Sequence, residues 1–368
     1  MRQVLIVILL LFITQSFASN NYRGQVLDAE TNAPLIGVNI FFANTSIGTI
    51  SDENGHFIIK NPNRIKTNLI FQHIGYEIVA KDLQKQKKGF LLIELKPNSV
   101  ELQPVYVTAE KSWLQNYKRE MQLNKFLDKF YLNKKISDKY CDVLNTEYLH
   151  FNYTKSLYEV TCDTLLIVKN EYLGYRKKIA MESFNWTKTG NHFLLKWSYF
   201  INYDKLEPKD DQQTKTWQDN REFIYKGTFR HFVKTLLEKN SFEEGFKIFE
   251  CKLVPRGRLH GNRNSFDTEF EINALNKLKK SNYHCLNYSE TFSVDKQADI
   301  FIIDFNLNSN YLIVEYQNRI KAFIKFETDK MYCDQYGNLM NLDHIIIGGD
   351  WQNYGIESIL PMDYKLGD

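Results

Sequence analysis

The sequence predicts a mainly β protein: an N-terminal β-sandwich, then a β-rich α+β domain with an antiparallel curved sheet and two or more helices. Aromatic residues make up 14% of the chain, with 26 Phe and 22 Tyr, whereas Pro is limited to 7. Aromatic side chains favour the half-buried surface of a sheet. Between positions 20 and 108, short apolar runs recur about every 8–12 residues without a helical period, which is typical of a sandwich. At roughly 150 residues per domain, 368 residues indicate about two domains.

The first 18 residues are typical of a secretory signal peptide. Arg2 gives a positive start, and residues 4–13 form an unbroken apolar run of 10 residues. A membrane anchor is the alternative, but a spanning helix needs about 20 apolar residues. Small residues at 16 and 18 favour cleavage between Ala18 and Ser19. We therefore expect an exported protein that is periplasmic or associated with the outer membrane.

Residues 19–109 are predicted to form the sandwich. Polar turn residues separate its strands, among them Asp52-Glu53-Asn54-Gly55, where Gly can adopt a positive φ. A calcium loop is the alternative interpretation of that run, but the further oxygen ligands and the distant bidentate Glu of such a loop are missing. The strands are expected at 22–27, 38–43, 48–51, 56–60, 68–74, 76–82, 90–95 and 102–108.

A set of short motifs carries a family resemblance in this stretch. They are Gly24-x-Val26, Asp28…Thr31, Pro34-Leu35-x-Gly37-Val38, Gly48-Thr49, Ser51-Asp52-x-x-Gly55-x-Phe57, Gly75-Tyr76 and Leu102-Gln103-Pro104-Val105-Tyr106-Val107-Thr108-Ala109. The stretch resembles the carboxypeptidase-regulatory-like domain over about 90 residues. The resemblance implies a transthyretin-like, Ig-like sandwich of about seven strands.

Residues 110–368 are predicted to form the second domain. Apolar residues at helical spacing predict a helix over 110–133. Thr228 is the expected N-cap of a second helix with an apolar stripe. Residues 205–216 are polar and are expected to form a loop. Strands are expected at 147–153, 157–162, 165–169, 176–186, 192–203, 221–226, 246–253, 283–292, 298–305, 311–316, 322–327 and 344–348.

Short pieces of the second domain carry a further resemblance. They include Trp217-x-x-Asn220-Arg221, His231-Phe232 and Leu360-Pro361-x-Asp363-Tyr364. In the same order, they resemble the C-terminal region of exported bacteroidete proteins that carry a carboxypeptidase-regulatory-like domain. That resemblance implies an architecture and a cell-envelope location, and it implies no activity.

Zinc carboxypeptidase chemistry is not expected, because it needs a His-x-x-Glu pair, a second His and a Glu base. None of the eight His residues is followed by Glu at the third position or His at the fourth. Glu147-x-x-His150 and Glu53-x-x-His56 lie on a predicted strand and a predicted turn. A spacing of three residues brings two side chains together on a helix, but not on a strand or a turn. Nucleophile-elbow, P-loop and dinucleotide-binding motifs are absent as well. We expect neither a bound metal nor a cofactor, and an enzyme is not the favoured interpretation.

Charge and cysteine content limit the partners and the redox chemistry. The net charge of +3 gives no support for nucleic-acid binding. The five Cys residues show no Cys-x-x-Cys spacing, which favours free, buried thiols, although a pair such as Cys141–Cys162 stays open in an exported protein.

One polar cluster stands out at a predicted strand-to-helix junction. It consists of Trp217, Asn220, Arg221, Tyr225 and His231. A ligand site is one interpretation. The other is structural, with an Arg that caps loop carbonyls and a His that packs at the helix start.

Three classes of function remain. The favoured one is a non-enzymatic module of the cell envelope, which binds or scaffolds an envelope protein or a carbohydrate or peptide ligand. The alternative is a hydrolase whose catalytic groups follow no motif; Asp295, Asp299 and Asp304 are carboxylates near its strands, and a glycosidase needs two that face each other. A small outer-membrane-associated barrel is the third option.

Overall fold

The structure is a computed structural model. It describes residues 21–62, 64–83, 89–98, 112–154, 157–189, 192–253, 283–287, 292–305, 307, 311–328, 330–340 and 344–368. The cleavage site, the strand expected at 102–108, the domain boundary expected at 109/110 and the polar stretch 255–282 lie outside the described residues. The chain divides into two compact units between Glu101 and Leu102.

The first unit contains two sheets, ordered β4-β1-β7 and β3-β2-β5-β6. Neighbouring strands are antiparallel, except that β1 and β7 run parallel. The strands are β1 (Asn21–Asp28), β2 (Asn39–Phe42), β3 (Gly48–Ile50), β4 (His56–Lys60), β5 (Leu69–Gln72), β6 (Val79–Lys81) and β7 (Phe90–Leu95). Seven of the eight predicted strands are therefore confirmed.

Alternating burial explains the core of this unit. Along β4, Phe57 and Ile59 are buried while their neighbours are exposed, as a half-buried strand requires. The Phe57 ring meets Phe71 of the other sheet edge to face, with the centroids 5.5 Å apart. A Cβ on Gly24 would lie 2.1 Å from the Leu91 carbonyl oxygen, so only glycine fits there between β1 and β7. The remaining core residues include Val26, Val38, Ile40, Phe42, Leu69, Leu91, Ile93 and Leu95.

Two Asp side chains shape the turns of the first unit. Asp52 Oδ1 accepts hydrogen bonds from the backbone N–H groups of Asn54 and His56, and Gly55 has a φ of 73°. Asp28 Oδ1 accepts from the backbone N–H groups two and three residues later. Both carboxylates thus replace backbone partners that the turns lack.

The outer face of the three-stranded sheet exposes apolar side chains. Ile58 and Phe90 both lie opposite Arg23 in the strand register, and Leu92 lies opposite Gln25. Ile58 is 64% exposed, and Phe90 and Leu92 are each 55% exposed. Strands β4 and β7 therefore carry apolar residues on both of their faces.

The second unit contains three sheets and four helices among the described residues. A six-stranded sheet has the order β8-β11-β12-β10-β9 with β13 added to β12, a five-stranded sheet the order β15-β14-β18-β19-β21, and a three-stranded sheet the order β16-β17-β20. All of these strand pairs are antiparallel. The predicted fold class is confirmed.

The bounds of the elements are as follows. The helices are α1 (Ser112–Phe130), α2 (Lys134–Tyr140), α3 (Asp211–Tyr225) and α4 (Phe229–Glu238). The strands are β8 (Cys141–Val143), β9 (Leu149–Tyr153), β10 (Leu157–Cys162), β11 (Leu166–Asn170), β12 (Tyr175–Thr189), β13 (His192–Lys205), β14 (Phe246–Leu253), β15 (Tyr283–Asn287), β16 (Ser293–Gln297), β17 (Ile300–Asp304), β18 (Tyr311–Tyr316), β19 (Ile320–Phe326), β20 (Lys330–Cys333) and β21 (Ile345–Gly349).

Two cores hold these layers together. In the first, Phe126 of α1 packs edge to face on Phe184 of β12, with the ring centroids 5.0 Å apart. In the second, Phe232 of α4 packs on Phe246 of β14 and on Trp351. The opposite face of the six-stranded sheet carries salt bridges such as Lys178–Asp204, as expected where one face of an antiparallel sheet meets water.

Two predictions for this unit are wrong. Residues 205–216 are not a loop throughout, and residues 221–226 are not a strand, because helix α3 runs from Asp211 to Tyr225. Asp210 caps this helix, since its side chain accepts a hydrogen bond from the Gln213 N–H. Its buried residues are Trp217 and the residues four, seven and eight positions after it on the same face, namely Arg221, Ile224 and Tyr225. The polar cluster therefore lies at a junction of two helices.

Candidate functional site

Three neighbouring side chains of α3 hydrogen-bond to one turn. Positions 217, 220 and 221 share a helix face because they are three and four residues apart. The acceptors are carbonyl oxygens of consecutive residues in the turn between β11 and β12. The pairs are Trp217 Nε1 to Glu171 at 2.7 Å, Asn220 Nδ2 to Tyr172 at 2.8 Å and Arg221 Nε to Leu173 at 2.7 Å. The helix thus satisfies a row of carbonyls that the sheet leaves unpaired.

Arg221 has two more partners. Its Nη1 donates to the Asp368 carbonyl oxygen at 3.0 Å, and its guanidinium lies 4.6 Å from the centre of the Tyr175 ring. Gly174 makes this approach feasible, because a Cβ there would lie 2.4 Å from the Trp217 ring and 2.9 Å from Arg221 Nη2. Gly174 also has a φ of 68°, in the left-handed region that favours glycine.

Tyr225 lies in an aromatic stack around Arg230. The Tyr225 and Tyr364 ring centroids are 5.5 Å apart, and the Arg230 guanidinium lies over both rings at 5.2 Å and 5.9 Å. Arg230 Nη1 also donates to the Pro361 carbonyl oxygen at 2.6 Å. Tyr225 and Arg230 therefore hold the segment that contains Pro361 and Tyr364.

His231 is buried in the first turn of α4. Its Nδ1 accepts a hydrogen bond from the Gly227 N–H at 3.0 Å, and Thr228 accepts from the His231 N–H as the predicted N-cap. Burial, and to a lesser extent the positive charge of Lys226, lower the pKa of His231 to about 4. Because Nδ1 is the acceptor of this hydrogen bond, the neutral ring carries its proton on Nε2, which lies 3.7 Å from Glu244 Oε2.

The structure brings all five predicted residues into one region, but they face different partners. Trp217, Asn220 and Arg221 face the turn before β12, whereas Tyr225 and His231 pack among aromatic rings. The side-chain hydrogen bonds of Trp217, Asn220 and Arg221 go to backbone oxygens of the chain itself. This geometry favours the structural interpretation, and the ligand interpretation stays a prediction.

Lys177 and Glu357 are buried charges that the sequence analysis missed. Lys177 Nζ donates to the carbonyl oxygens of Ile356 and Ile359, and burial is the main cause that lowers the pKa of this lysine to about 8. Glu357 accepts hydrogen bonds from the backbone N–H groups of residues 132 and 133. The alternation of β12 was a usable signal, since Tyr175, Lys177 and Ile179 share its inner face.

Cys141, Cys162 and Cys333 are free thiols, so the pairing of Cys141 with Cys162 is not formed. Burial raises the pKa of these thiols to about 12, 11 and 12, respectively. A protonated thiol is a poor nucleophile. Nucleophilic chemistry at these three positions is therefore disfavoured near neutral pH.

The remaining charged candidates pair locally. His150 Nε2 lies 2.6 Å from Asp163 Oδ2, and Lys330 pairs with Asp304 at 3.2 Å. Asp295 accepts a hydrogen bond from the next backbone N–H. Within the part of the chain that is described, no three His, Cys, Asp or Glu residues form a group that could hold a metal ion. Nor does any described helix have both the length and the apolar character to cross a bilayer.

Comparison with known proteins gives one family match. The sequence profile of the CarboxypepD_reg-like domain matches residues 22–107, and domains of this kind are typically non-catalytic, Ig-like modules. No curated protein matches the chain. Among solved structures, a similar chain is a 9R-lipoxygenase from Cyanothece PCC8801, with 12% identity and a TM-score of 0.19 over 60% of this chain and 47% of that chain. This chain spans about half of that protein's length, and so low a score carries no argument.

Proposed function

We propose that this chain, whose residues 22–107 form a carboxypeptidase-regulatory-like domain, is an exported cell-envelope protein that acts as a non-enzymatic binding or scaffolding module. The domain supports the non-catalytic part of the proposal, since such domains are typically Ig-like modules without chemistry of their own. The signal-like residues 1–18 support export.

One observation carries the argument for the second unit. The polar cluster that the sequence predicts there directs three donors at three consecutive backbone carbonyls. A catalytic or ligand site instead needs polar groups that converge on a space for substrate. Side chains committed to the backbone build a rigid support, so we assign contact with other molecules to the outer surfaces. The partner class is an envelope protein or a carbohydrate or peptide.

Export is tested by expressing the full chain in a Gram-negative host and measuring the mass of the mature protein. We expect a chain that begins at Ser19 and becomes sensitive to added protease once the outer membrane is permeabilised. The matched control is Ile8→Lys, which interrupts the apolar run and should leave the precursor uncleaved. A wild-type product that retains residues 1–18 would contradict export.

The non-enzymatic role is tested with purified protein and chromogenic esters, glycosides and peptides. We expect no turnover above that of the buffer alone. We also expect Arg221→Lys to lower the melting temperature, because a single amine cannot replace the guanidinium, which bonds to the Leu173 and Asp368 carbonyl oxygens and stacks on the Tyr175 ring. The matched control is the exposed Lys215→Arg. Turnover that is lost in Arg221→Lys at an unchanged melting temperature would establish the hydrolase instead.

A further inference from the structure

Two of the five Cys residues lie directly opposite each other in neighbouring strands. The register of β14 and β15 pairs Cys251 with Cys285, and the flanking pairs are Glu250 with Leu286 and Lys252 with His284. The two strands are antiparallel and form one edge of the five-stranded sheet. Cys251 and Cys285 are therefore brought together across 34 positions of sequence.

The register meets the backbone requirement of a disulfide. Residues directly opposite each other in an antiparallel pair have Cα atoms about 4.5–5.5 Å apart, and they lie on the same face of the sheet. Disulfides join residues whose Cα atoms are about 4.4–6.8 Å apart. Either kind of antiparallel pair falls within that range, so no strand has to move.

The other three Cys residues do not compete for this pairing. Cys141 lies on β8 and Cys162 on β10, which have no direct strand pairing with each other, and both are free. Cys333 is a free, buried thiol on β20 in a different sheet. The strand register thus selects one pair out of the five Cys residues.

We propose that Cys251 and Cys285 form a cross-strand disulfide that closes the β14–β15 connection. The oxidant is a disulfide, either of a small thiol such as glutathione or of a thiol–disulfide oxidoreductase. One cysteine thiolate attacks that disulfide and expels a thiolate, and the second cysteine thiolate then attacks the mixed disulfide and expels the other. Two protein thiols thereby lose two protons and two electrons, and one oxidant disulfide becomes two thiols.

The disulfide goes beyond the proposed function and rests on one part of it, which is export. Export supplies the oxidising compartment in which a disulfide persists, whereas the pairing itself depends on the register alone. Closing the connection restricts the unfolded chain, so oxidation should raise the melting temperature of the second unit. It also ties β15, an edge strand, to the sheet it completes.

The test uses the purified full chain, equilibrated in a mixture of oxidised and reduced glutathione. The protein is then denatured without reductant, alkylated with iodoacetamide and digested. We expect three alkylated thiols out of five and one linked peptide pair that contains Cys251 and Cys285. We also expect the melting temperature to fall by several degrees on reduction.

Two variants control the count. Cys333→Ser should leave two alkylated thiols and the same linked peptides. Cys251→Ser should leave four alkylated thiols and no internal link, with no further loss of melting temperature on reduction. Five alkylated thiols in the equilibrated wild type, stable mixed disulfides with glutathione, or a link between any other pair would overturn the proposal.

A second arm separates this proposal from export. Cells that express the full chain are lysed with an alkylating agent present, and the mature and precursor forms are mapped separately. The link should appear in the mature form and be absent from the Ile8→Lys precursor. If the cells yield only the precursor, and this precursor forms the link in the glutathione mixture, export is overturned and the pairing stands. If the chain is exported but keeps five free thiols, the pairing is overturned and export stands.

Discussion

The Tyr76 hydroxyl donates a hydrogen bond to Asp28 Oδ2 at 2.7 Å across 48 positions of sequence. Asp28 ends β1 and Tyr76 precedes β6, so the bond joins the turns of two strands that belong to different sheets. The pKa of Asp28 is lowered to about 2, most strongly by the hydrogen bond from Tyr76 and next by the hydrogen bond from the Thr31 N–H. The bond between Tyr76 and Asp28, together with burial, raises the pKa of Tyr76 to about 12.

Tyr76→Phe should raise the pKa of Asp28 towards its ordinary value near 3.9, because the strongest donor to the carboxylate is lost. The folded pKa lies below the unfolded one, so this stabilisation is present above pH 4 and is lost as the pH falls towards 2. The variant should therefore show a shallower loss of stability between pH 4 and pH 2. Carboxyl NMR of Asp28 measures the shift, with Tyr22→Phe as the control. An unchanged Asp28 pKa in Tyr76→Phe would show that the bond does not form.

Residues 20–108 should fold alone, because the first unit has its own core, and Phe57→Ala should be the costly substitution in it. Phe57 is 3% exposed and fills the space between the sheets, so we expect a loss of about 3–5 kcal/mol. Asp52→Ala in the same hairpin is the matched control. It removes the acceptor for two turn N–H groups and should cost about 1 kcal/mol. Urea denaturation measures both, and a midpoint that depends on calcium in the wild type alone would contradict the turn assignment.

Gly174→Ala should destabilise the second unit more than Gly367→Ala does. Both glycines have positive φ, but a Cβ meets Trp217 and Arg221 at position 174 and nothing within 4 Å at position 367. Gly367→Ala should cost about 1–2 kcal/mol from the left-handed backbone alone. The clash should add about 1–3 kcal/mol at Gly174. Thermal unfolding of both variants measures the two losses of stability, and their difference is the cost of the clash with Trp217 and Arg221. Equal losses would mean that α3 moves away to accommodate the methyl group.

His231 should make the second unit sensitive to acid. Its folded pKa of about 4 lies below the unfolded value near 6.5, so the folded state binds fewer protons between these values. Stability is fully present above about pH 6.5 and is lost as the pH falls through 4, with about 2 kcal/mol lost for this group between pH 8 and pH 5. His231→Gln retains an acceptor for the Gly227 N–H and does not titrate. Its stability should depend less on pH over that interval, and identical slopes would contradict the low pKa.

Local pattern was enough to predict most strands. Strands β4, β7, β10, β14 and β18 begin and end at the predicted residues, because alternation and flanking turns fix a strand locally. Helix α3 was also within reach. Asp210 followed by Gln213 is a start signal, and Trp217, Arg221, Ile224 and Tyr225 repeat at helical spacing. The polar composition of residues 205–216 is typical of a loop, and it conceals that helical period.

The packing around the polar cluster was out of reach for a physical reason. Arg221 meets residues 173 and 368, and Lys177 meets residues 356 and 359. Such partners are fixed by tertiary packing, which leaves no periodic trace in a single sequence. The sequence therefore predicts that residues 217, 220 and 221 form a polar cluster, but it does not indicate which carbonyl oxygens they bond to.

The buried contact between Lys177 and Ile356 spans 179 positions, so it constrains the order of folding. During vectorial synthesis, β12 emerges long before its acceptors, and until then its lysine must stay in water, because an unpaired buried charge is costly. The six-stranded sheet therefore cannot close its core as it emerges, and contacts of such long range slow the search for the native state. Protease resistance of the second unit should appear in a single late step, after residue 359 has been delivered. The interval before that step is when the unfinished sheet is most exposed to aggregation and to proteases.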